Sequence, residues 1–70
     1  MKYLVVIEET STGYSAFSPD VPGCIATGAT QTEVRLRMQQ ALEFHVEGLR
    51  ADGDSVPRST TSSCYVEVAA

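Results

Sequence analysis

Lys2-Tyr3-Leu4-Val5-Val6-Ile7-Glu8 is the stretch on which the fold turns. It is rich in β-branched and aromatic residues, and the turn-prone Thr10-Ser11-Thr12-Gly13 closes it, so it reads as a strand. In a strand, successive side chains point to opposite faces, which puts Tyr3, Val5 and Ile7 on one side and Leu4 and Val6 on the other. Both faces are therefore apolar. A strand dressed this way is expected to be covered on both sides, in the middle of a sheet.

Working outward, Tyr14 to Ser18 completes a hairpin with this strand. Pro19-Asp20-Val21-Pro22-Gly23 follows as a loop in which the prolines remove backbone donors and the glycine permits a tight turn, and Cys24 to Thr27 is a third short strand. Thr30-Gln31-Thr32-Glu33 has the capping-box form and starts a helix. Val34, Met38, Ala41, Leu42, His45 and Leu49 recur at helical spacing, with Glu43 and Glu47 mostly opposite. The helix is expected to end near Asp52-Gly53. A polar return loop holding Pro57 leads to Ser63 to Ala69, where Cys64, Val66 and Val68 alternate with Tyr65 and Glu67 as in a fourth strand. A helical connection back to a sheet is almost always a right-handed crossover. The expected architecture is thus α+β: a two-layer β-β-β-α-β domain with a four-stranded mixed sheet of order 3-2-1-4 and one helix packed on one face.

The 70 residues make one domain, spanning 1–70. A chain of this size buries only about 60% of its unfolded surface, which favours a further source of burial such as a partner subunit. Cys24 and Cys64 form no CxxC motif or Cys/His cluster, which argues against a disulfide framework and a zinc site. The apolar run Met1 to Ile7 is far shorter than the roughly 20 residues of a membrane span, and it lacks the features of a signal peptide. A cytoplasmic, soluble protein is expected. The net charge is -4, and the five basic residues, Lys2, Arg35, Arg37, Arg50 and Arg58, are scattered. Phosphate backbones are held by concentrated positive charge, so direct nucleic-acid binding is disfavoured, whereas a basic protein partner suits the acidity.

One helix covers one face of a sheet, which leaves the other for something else. Large apolar patches on small domains mark interaction surfaces, and a standard interface buries about 800 Å² per partner. A homo-oligomer (dimer or tetramer) or a stable hetero-complex is expected, with Tyr3, Leu4, Val6 and Asp20 as candidate interaction residues. Asp20 either contacts a partner or braces its own turn. No catalytic, cofactor-binding or metal-binding residue is assigned. Glu8, Glu9, Glu43, Glu47 and Glu67 invite comparison with a divalent-metal-dependent RNase, but nothing in their spacing forces convergence. His45 stands alone, Cys24 has no evident cation to activate it, and no Gly-x-Ser-x-Gly elbow is present.

The ordered set of motifs resembles the HicB antitoxin family. It comprises the Tyr3 to Glu8 strand, Gly13-Tyr14-Ser15-Ala16, Pro19-Asp20-Val21-Pro22-Gly23-Cys24, Gly28-Ala29-Thr30, Ala41-Leu42-Glu43-Phe44-His45, Asp52-Gly53 and Pro57. The resemblance implies a partial RNase H-like fold and a non-enzymatic protein that neutralises HicA, a small basic mRNA-cleaving toxin, by binding it. Many full-length relatives also carry a C-terminal DNA-binding domain, which is not expected within residues 1–70. Thr32 and Val34 depart from the Thr-x-Glu-Glu-Ala helix start usual in the family. A homo-oligomeric orphan without a toxin is the remaining alternative.

Overall fold

Val6–Glu9 forms β1 and Tyr14–Phe17 forms β2 in a computed structural model that describes residues 1–69. The two strands are antiparallel, with Ile7 opposite Ala16 and Glu9 opposite Tyr14, and the Thr10 amide donates to the Gly13 carbonyl at 2.9 Å to close the hairpin. Ile25–Gly28, β3, runs antiparallel to β2, with Ala16 opposite Ala26. This register aligns Ile7, Ala16 and Ala26 in one cross-strand row facing the helix, and Val6, Phe17 and Ile25 in a row on the opposite face.

The helix α1, Gln31–Ala51, follows after a two-residue turn. Its start is held as the sequence dictates: Thr30 Oγ1 accepts from the Glu33 amide at 3.1 Å, and Glu33 Oε1 reaches back to accept from the Ala29 amide at 3.0 Å. Arg37 pairs with Glu33 at 3.1 Å and donates to the Thr27 carbonyl at 3.0 Å, tying the first turns to the end of β3. The end is a Schellman cap, in which the Gly53 amide donates to the Arg50 carbonyl and the Asp54 amide to the Leu49 carbonyl. Gly53 has φ 73°, a conformation that costs glycine no Cβ clash.

Val34 and Met38 are the helix residues that become fully buried, packing with Ala16, Val21 and Cys24. Tyr3, Val5, Ile7, Tyr14, Ala26, Ala41 and Leu42 surround this core. Gly28 permits the close approach of sheet and helix, since a Cβ there would lie 2.8 Å from the Val34 amide nitrogen. Ser18, also buried, donates its hydroxyl to the Leu4 carbonyl at 2.8 Å and fastens the β2–β3 loop to the chain entering β1.

Two expectations are corrected. The sheet is three-stranded and wholly antiparallel, in the order β1-β2-β3, and the element order is β-β-β-α. The four-stranded mixed sheet of order 3-2-1-4 does not form, because Ser63 to Ala69 does not return to β1. The chain leaving α1 is intercepted first: the Tyr3 hydroxyl donates to the Pro57 carbonyl, and Asp20 then takes both the amides and the hydroxyls of Thr60 and Thr61. Beyond that anchor every described residue is exposed, with Val66 at 81% and Val68 at 78%. Its projection shows in the long dimension of 49 Å, well beyond the roughly 31 Å of a 21-residue helix. Consequently β1 is an edge strand rather than a central one, and Val6 on its second apolar face stays only half-buried in the protomer.

Candidate protein-interaction surface

The sheet face turned away from α1 is built by strand alternation. Because Ala16 points into the core, its neighbour Phe17 must point out, and cross-strand pairing sets Val6 and Ile25 on either side of it. Ile25 is 71% exposed and Phe17 38%, so the row is a continuous apolar strip open to water. The next row on that face, Glu8, Ser15 and Thr27, is polar and carries a carboxylate beside the strip. Arg35 and Arg37 lie on α1, in the other layer, and Glu8 is the charged side chain that the strand register places on the open face.

Of the residues singled out from the sequence, Val6 is half-buried and lies on this open face, whereas Leu4, also half-buried, precedes β1 and lines an open cleft beside it. Tyr3 instead packs against the core from the helix side and holds Pro57. Asp20 is partly exposed and braces the segment after the helix rather than its own turn. Its four hydrogen bonds run from 2.7 to 3.1 Å. The Thr61 hydroxyl foremost, then the Thr61 amide, lower the Asp20 pKa below its ordinary value of 3.8, assisted by Thr60 and partly opposed by desolvation. Phe17 and Ile25 escaped the sequence reading, although an alternation drawn through Ala16 would have found them.

A second feature lies along the free edge of β1. The helix sits chiefly over β3 and β2 and touches β1 least, leaving an open cleft of about 720 Å³ between β1 and the flank of α1. Tyr3, Val5 and Ile7 line one wall, and Arg35, Gln39 and Leu42 the other.

The groups considered for catalysis stay apart. Among the described residues no three His, Cys, Asp or Glu side chains cluster in a way that could hold a metal ion. His45 is half-buried on α1. Cys24 is a free, buried thiol whose pKa is pushed up by desolvation, which keeps it protonated and poorly nucleophilic, while Cys64 is free and exposed. Among the described residues no helix is long and apolar enough to cross a membrane.

A three-stranded antiparallel sheet with one helix on one face and an apolar, acidic strip on the other defines a small α+β module suited to protein contact. Residues 3–68 match the family described as the HicB_like antitoxin of bacterial toxin-antitoxin systems, and the chain belongs to that family. It is 38% identical over 66 residues to an uncharacterised 14.9 kDa protein of Haemophilus phage HP1, a match covering 94% of this chain and 50% of that protein. The chain thus spans about half the length of the phage relative. It is 37% identical over 57 residues to a UPF0150 protein of Synechocystis, covering 80% of this chain and 72% of the other. Among solved structures it resembles a chain of a HicA3 and HicB3 toxin-antitoxin complex, with TM-score 0.72 and 27% identity over 86% of this chain and 70% of that one.

Proposed function

We propose that this chain is a non-enzymatic antitoxin module that neutralises a HicA-like, small, basic, mRNA-cleaving toxin by binding it directly. The observation that carries the reading is the open Val6–Phe17–Ile25 strip with Glu8 in the adjoining row. An apolar strip supplies the burial that holds a complex together, and a carboxylate beside it favours encounter with a cationic surface. The likeness to a chain of a HicA3 and HicB3 complex supports the same partner class. Covering an RNase's RNA-binding or catalytic surface stops cleavage without chemistry on the antitoxin's side. The site of action under this reading is the cytoplasm.

Tyr3, Leu4, Val6 and Asp20 contribute unequally. Val6 meets the partner through the open face and Leu4 from the chain entering β1, while Tyr3 and Asp20 act indirectly by fixing the segment after α1. The protein also self-associates under this reading, since a small domain with uncovered apolar surface gains stability from a second subunit.

The test is an RNA-cleavage assay with a purified HicA-like toxin. Stoichiometric addition of this protein is expected to abolish cleavage, and Ile25→Asp to restore most of it. Unchanged cleavage in the presence of excess protein would reject the proposal. So would magnesium-dependent cleavage by this protein alone that Glu8→Ala removes.

A further inference from the structure

We propose that Cys64–Val68 pairs as a β-strand with the free edge of β1 in a second copy of this chain, filling that copy's cleft, and that the exchange is reciprocal. The inference rests on the self-association part of the functional reading and is independent of the toxin.

Three observations converge on it. First, β1 ends the sheet, so one side of its backbone has no ladder partner, and an open edge of this kind templates pairing with another chain. Second, the helix is displaced toward β3, which leaves the cleft beside Val5 and Ile7 partly walled by Leu42. A helix seated off-centre over three strands leaves width for one more strand at the β1 side. Third, the chain itself carries a segment with strand alternation and nothing to pack on: Cys64, Val66 and Val68 share one side, and Val66 and Val68 stay exposed in the protomer.

Length agrees as well. Five residues of strand rise about 17 Å, enough to run along the four residues of β1, Val6–Glu9, and one residue of the chain entering it. The segment is kept from its own β1 by its anchors. Pro57 is tied to Tyr3 and Thr61 to Asp20 in the β2–β3 loop, so the chain crosses the sheet end away from the free edge of β1. Two copies related by a twofold axis can each satisfy the other's β1 edge, giving a closed dimer. Seated with Cys64, Val66 and Val68 toward the helix side, the strand presents Tyr65 and Glu67 on the open face, which enlarges the apolar, acidic surface.

The experiment uses the full chain. Sedimentation equilibrium of the wild type at micromolar concentration is expected to give twice the chain mass, and Val66→Glu combined with Val68→Glu to halve it with unchanged circular dichroism. Those side chains are exposed in the protomer, so the double substitution tests association rather than folding. In a mixture of isotope-labelled and unlabelled wild-type chains, filtered NOE spectra are expected to connect the Val66 and Val68 methyls of one chain to Val5 and Ile7 of the other. A monomeric wild type, a double variant that stays dimeric, or intermolecular contacts confined to Phe17 and Ile25 would each overturn the exchange. A monomeric wild type that still suppresses the toxin would overturn it, and self-association with it, while leaving the toxin-binding reading intact.

Discussion

Thr61 is bound to Asp20 twice, its amide to one carboxylate oxygen at 3.0 Å and its hydroxyl to the other at 2.7 Å, across 41 positions of sequence. This contact, with the matching pair from Thr60, decides where the chain goes after the helix. It turns a segment with strand character away from its own sheet. Asp20→Ala removes all four acceptor contacts while the packing of α1 on the sheet stays in place. The Thr60 and Thr61 amides are then expected to exchange with deuterium as fast as those of an unstructured peptide. Retained protection at both amides would show that something other than Asp20 holds the segment.

The same carboxylate imposes a pH dependence with a definite sign. Hydrogen bonds from Thr61 and Thr60 favour its charged form and hold its folded pKa below the ordinary 3.8. A depressed carboxylate contributes its full anchoring above the unfolded value and loses it as pH falls through the lower, folded one. The anchor is therefore intact at neutral pH and is released in acid, below pH 3.8. Following the Thr61 amide resonance from about pH 6 to about pH 2 should reveal a transition in that acidic window, absent in Asp20→Ala. A Thr61 resonance that does not respond to acid would contradict the assignment.

Gly28 sets the distance between the layers. A Cβ at this position would stand 2.8 Å from the Val34 nitrogen and 3.1 Å from its Cα, both parts of the helix backbone that cannot swing aside. Gly28→Ala must push the start of α1 off the sheet, and overpacking of this kind costs about 1–3 kcal/mol. Urea denaturation of the two proteins measures the difference, and an equal or higher midpoint for Gly28→Ala would refute the close approach.

Met38 is fully buried and joins Val34 to Ala16, Val21 and Cys24. Truncation to alanine removes buried methylenes and leaves a cavity, at about 2–5 kcal/mol. In a domain this small that is a large share of total stability. Thermal unfolding of Met38→Ala is expected to occur many degrees below wild type, while Leu36→Ala, at an exposed position of the same helix, should shift little.

Local chemistry made much of this molecule legible in the sequence. The hairpin, the third strand and the helix follow from alternation, from the Thr30–Glu33 capping box and from the glycine at 53, although the first strand, expected from Lys2 to Glu8, forms only at Val6–Glu9. What failed was long-range. The alternation of Cys64 to Val68 is genuine strand chemistry, but alternation does not say what a strand pairs with, and the decisive contact joins two threonines to an aspartate 40 residues away. The two-faced apolarity of Tyr3 to Ile7 misled for the same reason: it reports that both sides of the strand need cover, not that the same chain supplies it. The surface was legible in part. Val6 stands out in the sequence as an apolar residue on the second face of a strand, whereas Phe17 and Ile25 sit singly in short mixed segments and form a strip with it only once the register is known.

The central claim is that the open sheet face binds a basic toxin, and isothermal titration of a catalytically inactive HicA-like toxin into this 70-residue chain tests it most directly. Wild type is expected to saturate at a fixed stoichiometry. Ile25→Asp, at a site 71% exposed and therefore harmless to the fold, is expected to weaken binding at least about tenfold, since losing one well-packed apolar anchor at an interface costs more than about 1 kcal/mol. Equal affinities for wild type and Ile25→Asp, or no heat of binding from either, would contradict the account.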